Sequence, residues 1–286
     1  RSLVTEKDTL FYAHSAIFEQ FLWKFKLSDR FNIPVVPLKR WRCTAAKALA
    51  VGLPKSLSEV GAALGTAHKK DLRGKTVMLK MCKPAANGKF IEDPAMFAEL
   101  EAYCAQDVET ERDIDAILPE LNPIEQVVWF EDQWINMRGV QVDTMAVDRA
   151  LEVIAQETAM LKKRINVLTN GELDGTSRRL AVMGYLKKHY KVELPDFTKA
   201  SVENALRNAE MPAGAVEILR IRQQLGLTSI AKYDALKAAT CEDGRLRDTF
   251  VYHSAGTGRW GGKLVQLQNL PKGSFDSDLG VEMLMR

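Results

Sequence analysis

Two acidic residues and a tyrosine stand where they could act on a phosphodiester. Glu19 lies in AHSAIFEQ, at the start of a helical pattern that follows a short strand-like stretch, and Asp107 lies in YCAQDVETE. Tyr103 precedes Asp107 by four residues, which sets phenol and carboxylate on one helix face, one turn apart. Phosphodiester hydrolysis by two divalent cations needs several carboxylates converging on ions about 4 Å apart, and a group that orients the attacking water. Carboxylates and a phenol can fill those roles, but the run QDVETERDID is also what a solvated helix face looks like. A second constellation runs from His253 through Gly256, Thr257, Gly258 and Arg259 to Trp260, with Leu267-Gln268-Asn269-Leu270-Pro271 behind it. The two glycines allow tight turning and close backbone approach, and Arg259, Gln268 and Asn269 can donate to the acceptors of a DNA minor groove. Those acceptors sit in nearly the same place on every correct pair, so such donors would sense pair geometry without reading sequence. Taken alone, the segment reads rather as a Gly-rich turn carrying a solvated Arg, with a Pro-terminated loop behind it.

The elements that must position these groups follow from periodicity and punctuation. Leu10 to Ala13 reads as a short strand, followed by a helical pattern through Ile17, Phe18, Phe21, Leu22 and Phe25. Beyond Pro34 and Pro37 an alanine-rich helix runs from Thr44 to Val51 and ends at Gly52. Ser56 and Ser58, with Glu59 behind them, introduce the next one. The Lys- and Gly-dense stretch from His68 to Lys89 reads as an exposed basic loop around a short apolar core. Pro94 to Ile117 then reads as one helix with Phe97, Leu100, Tyr103 and Cys104 on a common face.

After Pro119 and Pro123 a helix from Ile124 to Asn136 is expected, with Val127, Val128, Phe130, Trp134 and Ile135 as its apolar positions. A Gly turn and short strand follow, then a long helix capped by Thr144 and running to about Leu168. Further helices are expected around Arg178 to Tyr190, Ser201 to Ala209 and Ala213 to Ala239. The fold class is therefore α/β followed by mainly α, in segments 1–117, 118–250 and 251–286.

Composition constrains this loosely. The 286 residues carry 40 Lys and Arg against 37 Asp and Glu, so any grip on a polyanion must come from local clusters rather than the overall field. Candidate clusters are Arg178 and Arg179, Lys187 and Lys188, and Lys199, with Arg220, Arg222 and Lys232 on the longer helix. Four cysteines without a CxxC pair give neither a zinc pattern nor a disulfide framework and suit a reducing compartment. No apolar run approaches the roughly 18 residues of a membrane span, and the charged first residues do not read as a signal peptide, so a cytoplasmic protein is expected. The first residue is Arg and the last stretch follows a Gly-, Ser- and Asp-rich turn, so both ends read as cut from a longer chain.

These motifs, in this order, resemble those of family A DNA polymerases, the DNA polymerase I group, in their bacteriophage form. AHSAIFEQFLW resembles the second exonuclease motif and YCAQDVETE the third, Tyr-x-x-x-Asp; LPKSLSEVGAALG and KKDLRGKTVMLKMCKP resemble the region between them. WFEDQWINMRGVQVD is similar to the connection from exonuclease to thumb. Thr257-Gly258-Arg259 with Gln268-Asn269 is similar to the motif at the thumb-to-palm junction.

The resemblance implies an incomplete ribonuclease H-like 3′-to-5′ exonuclease domain, a helical polymerase thumb and the start of a palm. Asp107 and Glu19 would then hold Mg²⁺, Tyr103 would position the nucleophilic water, and Ser15, where the family has Asn, would face the substrate's terminal nucleotide. The first exonuclease motif, Asp-x-Glu, would lie before Arg1. Implied partners are primer-template DNA, single-stranded 3′ ends and deoxynucleoside triphosphates; a processivity factor is not defined. Two other readings stay open on the residues alone: a stand-alone exonuclease related to ribonuclease D, and a non-catalytic DNA-binding module with a decayed exonuclease fold.

Overall fold

The computed structural model describes residues 2–68, 72–175, 178–227 and 230–270, which are mostly helical with few strands. The chain forms two compact units, Arg1–Val140 with Arg247–Gln266, and Gln141–Leu246 with Leu267–Arg286. These do not coincide with the segments expected at 117/118 and 250/251. The helix after Pro123 and residues 247–266 both belong with the first unit.

In the first unit, α1 (Ser2–Thr5) precedes β1 (Phe11–Ala13), and α2 (Ile17–Leu22) continues through a π-helical stretch at Trp23–Leu27 into α3 (Ser28–Phe31). Strand β2 (Trp41–Cys43) lies parallel to β1, with Phe11 opposite Trp41 and Ala13 opposite Cys43. Arg40 is buried just before it. Its guanidinium donates to the carbonyls of Val4 (2.6 Å), Thr9 (2.7 Å) and Leu3 (3.0 Å), so it ties the end of α1 to the sheet. Helix α4 (Thr44–Ala50) follows directly, and its small Ala45 and Ala46 pack with Ala13, Ala16, Trp41, Trp129 and Tyr252 in one core. A second core joins Ala48, Leu57, Val60, Ile114 and Leu118.

Helix α5 (Leu57–Leu64) has the expected cap, with Ser56 accepting from the Glu59 amide, and it ends at Gly65 with φ +67. Helix α6 (Leu72–Met81) occupies part of the stretch expected as an exposed loop; residues 69–71 of that stretch lie outside the described residues. The glycine that signals a loop is instead Gly74, where the missing side chain lets the Tyr103 ring of α7 (Pro94–Ile117) lie against α6. Of the expected face of α7, Tyr103 is buried while Phe97 and Cys104 are exposed. Lys47 is 2% exposed on α4, and its ammonium lies 2.5 Å from both Asp115 and Glu120, which is how a buried cation is tolerated.

Helix α8 (Pro123–Arg138) closes the first unit's run, capped by Asn122. Its buried face is Trp129, Asp132, Gln133 and Asn136, whereas Val127 and Trp134, expected inside, are more than half exposed.

The second unit is built of helices, entered through β3 (Val140–Gln141). Helix α9 (Thr144–Leu168) is capped by Asp143 rather than Thr144, the carboxylate accepting from the Ala146 amide at 2.9 Å. Helices α10 (Arg179–Tyr190), α11 (Lys199–Leu206) and α12 (Ala213–Leu225) enclose a core of Ile165, Val182, Leu186, Val202, Ile218 and Leu219. The single helix expected from Ala213 to Ala239 is two, because α12 stops at Gly226 and α13 spans Ala231–Ala239. At that stop the Gly226 amide donates to the Arg222 carbonyl (3.1 Å), and the Arg222 guanidinium fills the space a side chain would need. Strand β4 (Arg245–Leu246) pairs with β3. Back in the first unit, β5 (Phe250–Val251) and β6 (Gly261–Gly262) form an antiparallel hairpin. The Gly-, Ser- and Asp-rich turn and the remainder of the expected palm, residues 271–286, lie outside the described residues.

Candidate nucleic-acid interface

The acidic group is assembled where β1 ends. Ser15 takes a left-handed conformation, φ +67, and turns the chain into α2, on which Glu19 sits one turn in. Glu19 Oε2 is buried without a hydrogen-bond partner among the described residues, and burial pushes its carboxyl above the usual range. Glu111 on α7 is raised to about 7, chiefly by burial, with the Glu19 charge adding to it. Thr44 Oγ1 donates to Glu111 Oε1 (3.2 Å) and lies 2.9 Å from His14 Nδ1. His14 Nε2 is 2.8 Å from the Lys55 carbonyl, which can only accept, so that nitrogen carries the hydrogen.

The sequence-based reading missed Glu111, His14 and Thr44. The signal for Glu111 was there: positions 103, 107 and 111 share a helix face at four-residue spacing. Tyr103 itself is buried, its ring against Gly74, and Asp107 follows it one turn on, half-buried. Carboxylate oxygens are the donors Mg²⁺ takes, and an orphaned buried oxygen at Glu19 fits such a role. No cluster of three or more His, Cys, Asp or Glu able to hold a metal occurs among the described residues.

The His253-to-Trp260 part of the second constellation sits on the tip of the β5–β6 hairpin. His253 is left-handed at φ +51, the Gly258 amide donates to the Ala255 carbonyl (2.9 Å), and the Ala255 amide to the Arg259 carbonyl (3.1 Å). Gly258 has φ +77, and a Cβ there would lie 3.0 Å from His253 Nε2, so both conformation and space call for glycine. The turn leaves Thr257 and Arg259 exposed. Trp260 is 42% exposed, with its ring 6.4 Å from Phe250.

In the second unit Gln268 and Asn269 are exposed on a 3₁₀ turn, Leu267–Asn269, where Lys232 donates to the Asn269 carbonyl. Arg178 and Arg179 are exposed at the start of α10. Lys187 pairs with Glu193 (3.0 Å), Lys188 with Glu172 (3.0 Å) and Lys199 with Glu203 (3.7 Å), all at the surface. Such pairs are weak, so phosphates can replace the carboxylates at little cost.

An aligned stretch of 285 residues is 32% identical to the DNA polymerase of Bacillus phage SP02. The chain is homologous to a DNA polymerase. The match takes in 96% of this chain and 43% of that relative, so the chain spans less than half of the polymerase it resembles. No family model matches it. The fold is similar to that of the polymerase domain of Pol1 from M. smegmatis, solved in complex with DNA primer-template and dNTP. The TM-score is 0.50 at 14% identity, over 96% of this chain and 45% of that one. The sequence match thus agrees with the resemblance to a DNA polymerase drawn from the motifs.

Proposed function

We propose that this chain is the part of a DNA-directed DNA polymerase that holds primer-template DNA, together with a ribonuclease H-like 3′-to-5′ exonuclease segment, and serves phage or bacterial DNA replication in the host cytoplasm. The observation that carries the reading is the exposed Arg259 on a glycine-closed turn, within a stretch homologous to a phage DNA polymerase. A stand-alone exonuclease would leave Thr257-Gly258-Arg259 and Gln268-Asn269 without work. A decayed binding module would not need Glu19 and Glu111 buried at a cost.

In this reading Arg259 donates to minor-groove acceptors at the primer terminus and Thr257 contacts the strand beside it, while Gln268 and Asn269 are DNA contacts of the second unit. Arg178, Arg179, Lys187, Lys188 and Lys199 hold phosphates of the duplex. For excision, Ser15 would face the terminal nucleotide of a single-stranded 3′ end, Glu19 and Asp107 would hold Mg²⁺, and Tyr103 would orient a water. Mg²⁺ would supply charge neutralisation and an activated water. The complete enzyme would take deoxynucleoside triphosphates. Among the described residues no helix is long and apolar enough to cross a membrane.

The test is Arg259→Ala in the polymerase that carries this chain. Loss of one charge-assisted hydrogen bond costs about 1.5–3 kcal/mol, roughly ten- to a hundredfold in a rate that depends on it. Single-nucleotide extension should slow by that factor from a matched primer end and by less from a mismatched one. Equal loss on both ends, or none on either, would contradict the assignment.

A further inference from the structure

Three of the four side chains on the buried face of α8 are polar: Asp132, Gln133 and Asn136 are 5% exposed or less, beside Trp129. Burying polar groups is costly unless each is bonded, and here the bonds run as a chain. Gln20 Nε2 donates to Gln133 Oε1 (3.2 Å), and Gln133 Nε2 to Asp132 Oδ2 (2.8 Å). The same Asp132 oxygen accepts from Asn136 Nδ2 (3.2 Å), which fixes which way the Asn136 amide faces.

Asn136 spends the rest of that amide on one residue of β5. Its Nδ2 donates to the Phe250 carbonyl (3.1 Å), and its Oδ1 accepts from the Phe250 amide (2.9 Å). Its own backbone carbonyl accepts from the Asp248 amide at 3.2 Å. A side-chain amide bonded both ways to one backbone residue does what a neighbouring strand would do: it sets position and direction together, which apolar packing alone does not. Three turns earlier on α8, Glu125 Oε2 accepts from the Tyr252 hydroxyl at 2.6 Å. The opposite strand is held too, with the Lys263 amide on the Thr249 carbonyl (2.9 Å) and the Lys263 ammonium on Asp248 (2.5 Å). The turn bearing Arg259 thus projects from a hairpin whose base is bolted to α8.

We propose that Asn136, with Asp132 orienting it, is a positioning residue for Arg259, so that the aim of the guanidinium at duplex DNA is set on α8. This rests on the reading of Arg259 as a DNA contact. Neither residue touches DNA; each acts through the path of residues 250–259.

The experiment is a double-mutant cycle on this chain, reading fluorescence anisotropy of a labelled primer-template duplex at low salt, with a thermal melt to establish that each variant is folded. Arg259→Ala should weaken binding roughly tenfold or more. Asn136→Ala should weaken it about three- to tenfold in the parent chain, and by less than about twofold when Arg259 is already Ala, because contacts acting through one another are not additive. Asn136→Ser, whose hydroxyl can still bond one Phe250 backbone group, should recover part of the loss; it also replaces Asn136→Ala in the cycle if that variant does not fold. Equal weakening in both backgrounds, or none in the parent, overturns the positioning role while leaving Arg259 as a DNA contact. If Arg259→Ala binds as the parent does, the reading of Arg259 fails and the proposal falls with it.

Discussion

Asp132 is a carboxyl whose surroundings favour its neutral form. Burial raises it to about 6, the charge of Asp248 adds to the rise, and Gln133, Asn136 and Lys263 oppose it. Because the folded value lies above the ordinary 3.8, this group's contribution to stability is full below pH 3.8 and is lost as pH rises through about 6. Asp132→Asn keeps the shape and stays neutral, so it should melt near the parent at pH 4 and be more stable at pH 8, by on the order of 1–2 kcal/mol. Thermal melts at both pH values decide this; a loss at pH 8 would show that the charged carboxylate is the stabilising form. For excision, Asp107→Ala in the polymerase carrying this chain should abolish removal of a mismatched primer end and leave extension nearly intact, with Tyr103→Phe losing less. Unchanged excision in Asp107→Ala would return that helix to a solvated face. Single residues were also where sequence patterning failed. Periodicity assigns burial by hydropathy, so it put Val127 and Trp134 inside α8 and could not foresee an internal face of Asp132, Gln133 and Asn136, because a buried amide is affordable only when partners distant in sequence, such as Gln20 and Phe250, complete its bonds.

Elements were far more legible than side-chain contacts, since their signals are local. Pro94 at the start and Ile117 at the end of α7 were readable from sequence, with Asp93 capping the first amides. The Ser56 cap of α5 and the stop of α4 before Gly52 were readable in the same way. Where two signals competed, the reading slipped. Asp143 and Thr144 are both good caps, and the residue one earlier took the role. Lys and Gly density masked α6, because Gly74 serves the helix pair rather than breaking it. A side chain there would come within 2.1 Å of the Tyr103 ring. Gly74→Ala should therefore push α6 from α7 and cost about 1–3 kcal/mol, the range for overpacking, although alanine is the better helix former by roughly 1 kcal/mol. A stability equal to or above the parent in a denaturant titration would mean that the ring is not held against α6.

At the scale of the molecule, the sequence suggested an α/β beginning and a helical continuation divided at 117/118, and the structure is mostly helical with few strands, in two compact units with other bounds. Residues 247–266 return to the first unit through contacts with α8 more than a hundred positions away, a closure no local pattern encodes. With a net charge of only +3, any affinity for DNA has to come from placed cations rather than from the overall field. The central claim, that the chain grips primer-template DNA by its phosphates, is tested most directly by duplex affinity measured across a salt series. Log affinity should fall linearly with log salt, with a slope of about −0.9 for each phosphate contact, and replacing Lys187 and Lys188 together by Ala should flatten that slope by roughly 1 to 2. No duplex binding at the lowest salt, or a slope that the double replacement leaves unchanged, would contradict it.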